Sequence, residues 1–231
     1  MPYIGFIVSR VIDSNNNKEI IMQTFPLTFY TNPESRGCIV RRMLEELAVP
    51  YETVALDYAG QMKTAEYLAI NPLGKVPAIT HGKLVVTETA AICAYLADAF
   101  IDKRLAPALS SAQRGIYYRW LFFAAGPLEM VTTAKACGWN LNENPQMVGS
   151  GSYEDTVDAL EQALADGPYI CGEQFTAADV YVGSHVSWGI QFKTLPERSI
   201  FKDYADRLAK RPAFQRADQL DAELKAKMAA K

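Results

Sequence analysis

Asn71-Pro72-Leu73-Gly74-Lys75-Val76-Pro77-Ala78-Ile79-Thr80-His81-Gly82-Lys83-Leu84-Val85-Val86-Thr87-Glu88-Thr89 is the stretch whose reading decides the fold. Asn71-Pro72 ends the helix before it, because a residue preceding proline is pushed out of the helical region. Val76 to Thr80 and Leu84 to Val86 are apolar, β-branched runs, and His81-Gly82-Lys83 turns the chain between them, so the pair reads as a β-hairpin. Thr89 then opens a helix to about Phe100. Working upstream, Leu27-Thr28-Phe29-Tyr30 reads as a strand closed by Asn32-Pro33. Ser35 is a reasonable N-cap for a helix whose Ile39, Val40, Met43, Leu44 and Leu47 recur at helical spacing before Pro50. Tyr51 to Leu56 alternates as a second strand, and Thr64 to Ala69 forms a short helix. The order is βαβαββα, a mixed α/β unit unlike the strict alternation of a doubly wound sheet.

Downstream, the polar, Pro-containing Asp102 to Pro107 marks a change of character. Ser110 followed by Gln113 reads as a capping box for the run Ile116, Tyr117, Trp120, Leu121, Phe123, Ala124, with a kink expected at Gly126-Pro127. Further helices are expected over Tyr153 to Ala165, Ala177 to about Trp188 and Ile200 to Lys210, and Pro212 suits the first turn of a last one. The chain thus divides into an N-terminal extension (1–24), an α/β domain (25–101), a linker (102–108) and an all-helical domain (109–231). In the extension, Arg10 interrupts the apolar run Ile4 to Val8, Ser14-Asn15-Asn16-Asn17-Lys18 reads as a turn or loose linker, and Met22 is an alternative start. No segment reads as membrane-spanning.

At 231 residues the chain has the length of two small domains, and 49% hydrophobic with 21% charged residues is ordinary globular composition. A net charge of -3 leaves no basic excess to neutralise a phosphate backbone, so the expected partner is a small molecule and not nucleic acid. Cys38, Cys93, Cys137 and Cys171 lie far apart with no C-x-x-C pair, which fits free thiols in a reducing cytosol. His81 and His185 have no third ligand nearby, so no metal site is expected.

Three separated motifs resemble the glutathione transferase family, in a cytosolic, Ser-type form similar to bacterial theta and beta members. They are Phe29-Tyr30-Thr31-Asn32-Pro33-Glu34-Ser35-Arg36, then Asn71-Pro72-Leu73-Gly74-Lys75-Val76-Pro77 with Glu88-Thr89, and Phe175-Thr176-Ala177-Ala178-Asp179. Each string is weak alone; their order and spacing carry the likeness. The resemblance implies a thioredoxin-like N-terminal domain, an all-α C-terminal domain, a cytoplasmic homodimer and a detoxifying role. It also implies glutathione as co-substrate, with no separate cofactor, and a hydrophobic electrophile or peroxide in the cleft between domains.

An unperturbed thiol with a pKa of about 8.5 is only a few per cent ionised at neutral pH, so such a protein must hold glutathione as its thiolate. The resemblance puts Ser35 in that catalytic role, where its hydroxyl donates to the sulfur beside the positive end of a helix. Asn32 competes as an amide donor and Cys38 as a reactive thiol in its own right. By the same resemblance the Val76–Pro77 bond is cis and Val76 pairs with the cysteinyl backbone. Glu88 and Thr89 meet the γ-glutamyl end, and Lys75 and Arg36 meet the glycyl carboxylate. Tyr30 belongs to the first motif, and Trp120 and Phe123, on the kinked helix, are candidates for facing the electrophile. Thr176 and Asp179 read as a structural capping box, with Phe175 and Val180 as its hydrophobic staple. Two rival functions remain on this reading: a non-catalytic interaction module of the same fold, and a Cys38-based glutathione-dependent thiol reductase.

Overall fold

The computed structural model describes residues 10–12, 19–21, 25–143 and 146–230. The expected turn at Ser14 to Lys18 and the possible start at Met22 lie outside the described residues. The N-terminal segment holds two short strands, β1 (Arg10–Ile12) and β2 (Glu19–Ile21), paired antiparallel with Arg10 opposite Ile21.

The α/β unit follows the expected order: β3 (Leu27–Thr31), α1 (Gly37–Leu47), β4 (Glu52–Ala55), α2 (Ala65–Leu68), β5 (Ala78–His81), β6 (Leu84–Thr87) and α3 (Thr89–Ala99). Its sheet runs β4-β3-β5-β6, with β3 parallel to β4 and antiparallel to β5, and β5 antiparallel to β6. Along β3 the residues alternate, so Leu27, Phe29 and Thr31 are buried while Thr28 and Tyr30 are half-buried. Helix α1 sinks Ile39, Val40, Met43, Leu44 and Leu47 into the core, and each fully buried side chain contributes about 1.5–3 kcal/mol.

The second unit is helical: α4 (Gln113–Phe123), a π-helical turn (Ala124–Leu128), α5 (Glu129–Cys137), α6 (Tyr153–Ala165), α7 (Ala177–Gln191), α8 (Ser199–Ala209) and α9 (Pro212–Ala229). Gly126-Pro127 does perturb the long helix, and the perturbation takes π form: Pro127 donates no N–H, and the wider turn absorbs the missing rung. The helix starts at Gln113, whose N–H donates to Ser111 Oγ (3.2 Å), so Ser111 and not Ser110 serves its first turn. At α7 the capping box forms: Thr176 N donates to Asp179 Oδ2 (2.8 Å), and Asp179 Oδ1 accepts from Ile170 N (2.7 Å) and Tyr204 OH (2.8 Å).

Charged pairs tie α9 onto the α/β unit. Arg41 Nε meets Asp221 Oδ1 at 2.5 Å in a nearly dry setting, and Arg42 Nη2 meets Asp218 Oδ1 at 2.9 Å. Arg211 grips both oxygens of Glu46 at 2.5 and 2.8 Å. No helix among the described residues is long and apolar enough to cross a membrane.

Candidate active site

A cleft of about 840 Å³ opens between the two units. One wall is Pro33 to Arg36, Cys38, Tyr58 and Gly74 to Val76; the other is α5 and the C-terminal half of α7 with the residues after it. The first wall is a place where the chain changes element, so backbone groups and short side chains meet the cavity there.

Ser35 lies in the first wall, two residues before α1 begins at Gly37. The helix cap is Arg36, with no side-chain capping bond, so Ser35 is not the N-cap its sequence position suggested. Its hydroxyl nonetheless accepts the Gly37 N–H (2.9 Å) and donates to the Asn32 carbonyl (2.7 Å). That carbonyl also accepts Ser35 N–H (3.1 Å) and Thr31 Oγ1 (3.4 Å), so it keeps partners if the Ser35 proton swings away. The Gly37 amide polarises the hydroxyl meanwhile, which makes it a better donor. The Val76–Pro77 peptide is cis, and Glu88 at the mouth of α3 holds a φ of 65°, in the left-handed region that non-glycine residues rarely adopt.

The second wall carries a polar cluster. The Arg36 guanidinium pairs with the Glu129 carboxylate through Nη2 and through Nε (3.3 Å). The same carboxylate stands 3.7 Å from His185 Nδ1 and 3.5 Å from Thr133 Oγ1. His185 is 5% exposed; burial, helped by the Arg36 charge, pushes its pKa down to about 3, and the imidazole is neutral at physiological pH. Trp188 and Phe192 supply apolar surface beside it. In the first wall, burial pushes the Cys38 thiol up to about 12 despite the nearby Arg42 charge, so its sulfur stays protonated. Tyr58 is 63% exposed; its phenol donates to the Glu34 carbonyl (3.3 Å) and neighbours the Ser35 hydroxyl.

A family model of the glutathione S-transferase N-terminal domain matches residues 25–98, and one of the C-terminal domain matches residues 149–216. Glutathione S-transferase GstA of Escherichia coli O157:H7 is 32% identical over 160 residues, which cover 68% of this chain and 78% of that protein. The chain belongs to the glutathione S-transferase family. Among solved structures, a glutathione transferase of Phanerochaete chrysosporium in complex with oxidized glutathione is 25% identical with a TM-score of 0.72, covering 86% of this chain and 97% of that one. A sphingomonad glutathione S-transferase complexed with glutathione is 26% identical with a TM-score of 0.69, covering 84% and 98%. The fold is accordingly a thioredoxin-like α/β domain followed by a helical one, as these family members have.

Set against the expected transferase site, the structure brings Ser35, Arg36, Lys75 and Val76 to the cleft and leaves other candidates elsewhere. Asn32 is 5% exposed: Nδ2 donates to the Leu56 carbonyl (2.8 Å) and Oδ1 accepts Glu34 N–H (2.9 Å). It braces the loop under Ser35 and is not among the residues lining the cleft. Trp120 is 3% exposed and packs edge-on against Phe123 in the core, so neither faces the cleft; large aromatics on a buried helix face satisfy the hydrophobic term first. Tyr30 packs on Tyr67 in a small cluster with Leu56 and Met62, and Pro77 is buried behind Val76. Glu88 and Thr89 stand at the start of α3, outside the residues lining the cleft. Arg36 engages Glu129, a partner that lies 93 residues away. Sequence reasoning missed Tyr58, Glu129, Thr132 and Trp188 altogether and weighed His185 only as a metal ligand. The Gly126-Pro127 pair just before Glu129 was the one local signal of the second wall.

Proposed function

We propose that this chain is a glutathione transferase in which Ser35 steadies bound glutathione as its thiolate for attack on a second substrate, a hydrophobic electrophile or a peroxide. The supporting observation is the Ser35 hydroxyl itself: it fronts the cleft, is polarised by the Gly37 N–H, and rests its proton on a carbonyl that has other donors. A hydrogen bond to a charged group contributes roughly 1.5–3 kcal/mol, and 1.36 kcal/mol moves a pKa by one unit, so this donor lowers the thiol by about one to two units. The amide end of α1 adds in the same direction. Two of the related structures are complexes with oxidized glutathione or glutathione, which favours the same ligand here.

In this reading Val76 receives the cysteinyl backbone, Glu88 and Thr89 the γ-glutamyl end, and Lys75 the glycyl carboxylate; the strained backbone at Glu88 is of the kind that clusters at ligand sites. The second substrate lies against Trp188 and Phe192, with the neutral His185 and Glu129 as polar neighbours. We assign the working form as a cytoplasmic homodimer with a detoxifying role. A protonated, half-buried Cys38 disfavours the thiol-reductase alternative.

Retention on immobilised glutathione and acceleration of thiol addition to an activated aryl halide test this reading. Ser35→Ala should reduce kcat/KM by at least about tenfold; a smaller loss removes Ser35 from the role. Intact fold with no affinity for glutathione would favour the interaction-module alternative.

A further inference from the structure

At rest Ser35 has a single hydroxyl proton to give. Its only proton points to the Asn32 carbonyl at 2.7 Å, so at any instant it serves either that carbonyl or an incoming sulfur. One other hydroxyl stands beside it in the same wall. Tyr58 belongs to the loop between β4 and α2, whose Asp57 carboxylate accepts Gly60 N–H (2.9 Å) and Gln61 N–H (3.2 Å), a turn that holds the tyrosine over the cleft. The phenol's own bond, to Glu34 carbonyl at 3.3 Å, is long for an O–H donor and therefore weak. The ring is 63% exposed and free to re-aim, and it lines the cleft together with Ser35.

We propose that Tyr58 is a second hydroxyl donor to the glutathione sulfur, acting with Ser35 to hold the thiolate. This inference rests on the glutathione reading above and adds a catalytic residue to it. The phenol bonds to the carbonyl of the residue just before Ser35 and lines the same cleft, which brings the two hydroxyls to one end of the cavity. A thiolate replaces the long Glu34 contact with a charge-assisted one, so re-aiming is favourable once the anion is present. Burial and the Glu34 carboxylate keep the phenol protonated above its ordinary range, so it donates throughout the neutral region. The charged groups sharing this wall are Glu34, Arg36, Lys63 and Lys75, facing Glu129 across the cleft, and none is altered by the substitution that removes the phenol.

The test is Tyr58→Phe in the full chain, with the ultraviolet absorbance of bound thiolate titrated against pH beside calorimetric glutathione binding and thermal unfolding. The expected result is a thiol midpoint raised by about half a unit to one unit, and kcat/KM lowered by about three- to tenfold at neutral pH with convergence at alkaline pH. Glutathione affinity measured at acid pH, where the bound thiol is protonated in both proteins, should change by less than about twofold, because the lost bond is made to the anion. Ser35→Ala should keep part of the depressed midpoint, and the double variant should titrate above either single variant. An unmoved midpoint in Tyr58→Phe, with glutathione still bound, overturns the assignment and spares the transferase reading. Wild-type protein that fails to bind glutathione overturns both.

Discussion

Gly37→Ala probes the loop that carries Ser35 without touching Ser35. A Cβ at residue 37 would lie 1.9 Å from Thr31 Oγ1, 3.1 Å from Thr31 Cβ and 3.0 Å from Ser35 Oγ. Thr31 is fully buried on β3, so its side chain cannot retreat into solvent, and the start of α1 must shift instead. Overpacking of this kind costs about 1–3 kcal/mol. The better helix propensity of alanine returns at most about 1 kcal/mol, for a net loss of up to about 3 kcal/mol. The shift also drags the Gly37 N–H from the Ser35 hydroxyl it holds at 2.9 Å. A misplacement of about 1 Å at a reacting group costs on the order of a hundredfold, so kcat/KM should fall at least tenfold. Urea unfolding and steady-state conjugation of an activated aryl halide measure the two effects. Gly115→Ala is the internal control: exposed on α4, with nothing within 4 Å of its Cβ, it should stabilise the fold slightly and leave turnover alone. If Gly37→Ala behaves like Gly115→Ala in both assays, the steric argument is wrong.

Two further outcomes follow from buried titratable groups. The unfolded His185 titrates near its ordinary pKa of about 6.5, whereas the folded one is held down to about 3. Between those values the unfolded chain binds a proton the native state refuses, so stability falls as pH drops through the window, by up to about 1.4 kcal/mol per pH unit from this group. His185→Gln should flatten the slope of unfolding free energy against pH in the mildly acidic range; an unchanged slope contradicts the depressed pKa. Cys38, Cys93 and Cys171 are all pushed to about 12 by burial, while Cys137 is exposed, so alkylation at mildly alkaline pH followed by peptide mass analysis should find Cys137 first. Modification of Cys38 as fast as Cys137 would restore the thiol-reductase alternative.

Much of the architecture is readable from local chemistry. The hairpin of β5 and β6 follows from two β-branched runs around Gly82, and α6 spans Tyr153–Ala165 because Ser152 accepts Asp155 N–H (3.0 Å) ahead of a periodic apolar face. Boundaries set by backbone competition are less readable. Ser35 looks like a cap, yet its hydroxyl bonds within the preceding turn and α1 begins two residues later. Ser110 and Ser111 are equivalent to a pattern and differ only in which one meets Gln113 N–H. The second wall of the cleft was illegible for a different reason. Glu129, His185 and Trp188 come from two helices, and nothing in their own neighbourhoods tells a wall facing a cavity from one facing the core. Trp120 and Phe123 failed on the same point, since periodicity ranks a face as apolar without saying what covers it.

The π-helical turn at Ala124–Leu128 sets the rotational phase of everything after it. An α-helix advances about 100° per residue and a π turn only about 80°, so winding the same five residues as regular α would swing Glu129, Thr132 and Thr133 about a quarter of the way around the axis. The fold would keep its length and topology, and Arg36 would face a different set of side chains. The wide turn beside a proline thus works as an index mark, deciding which stripe of α5 is turned toward the cleft.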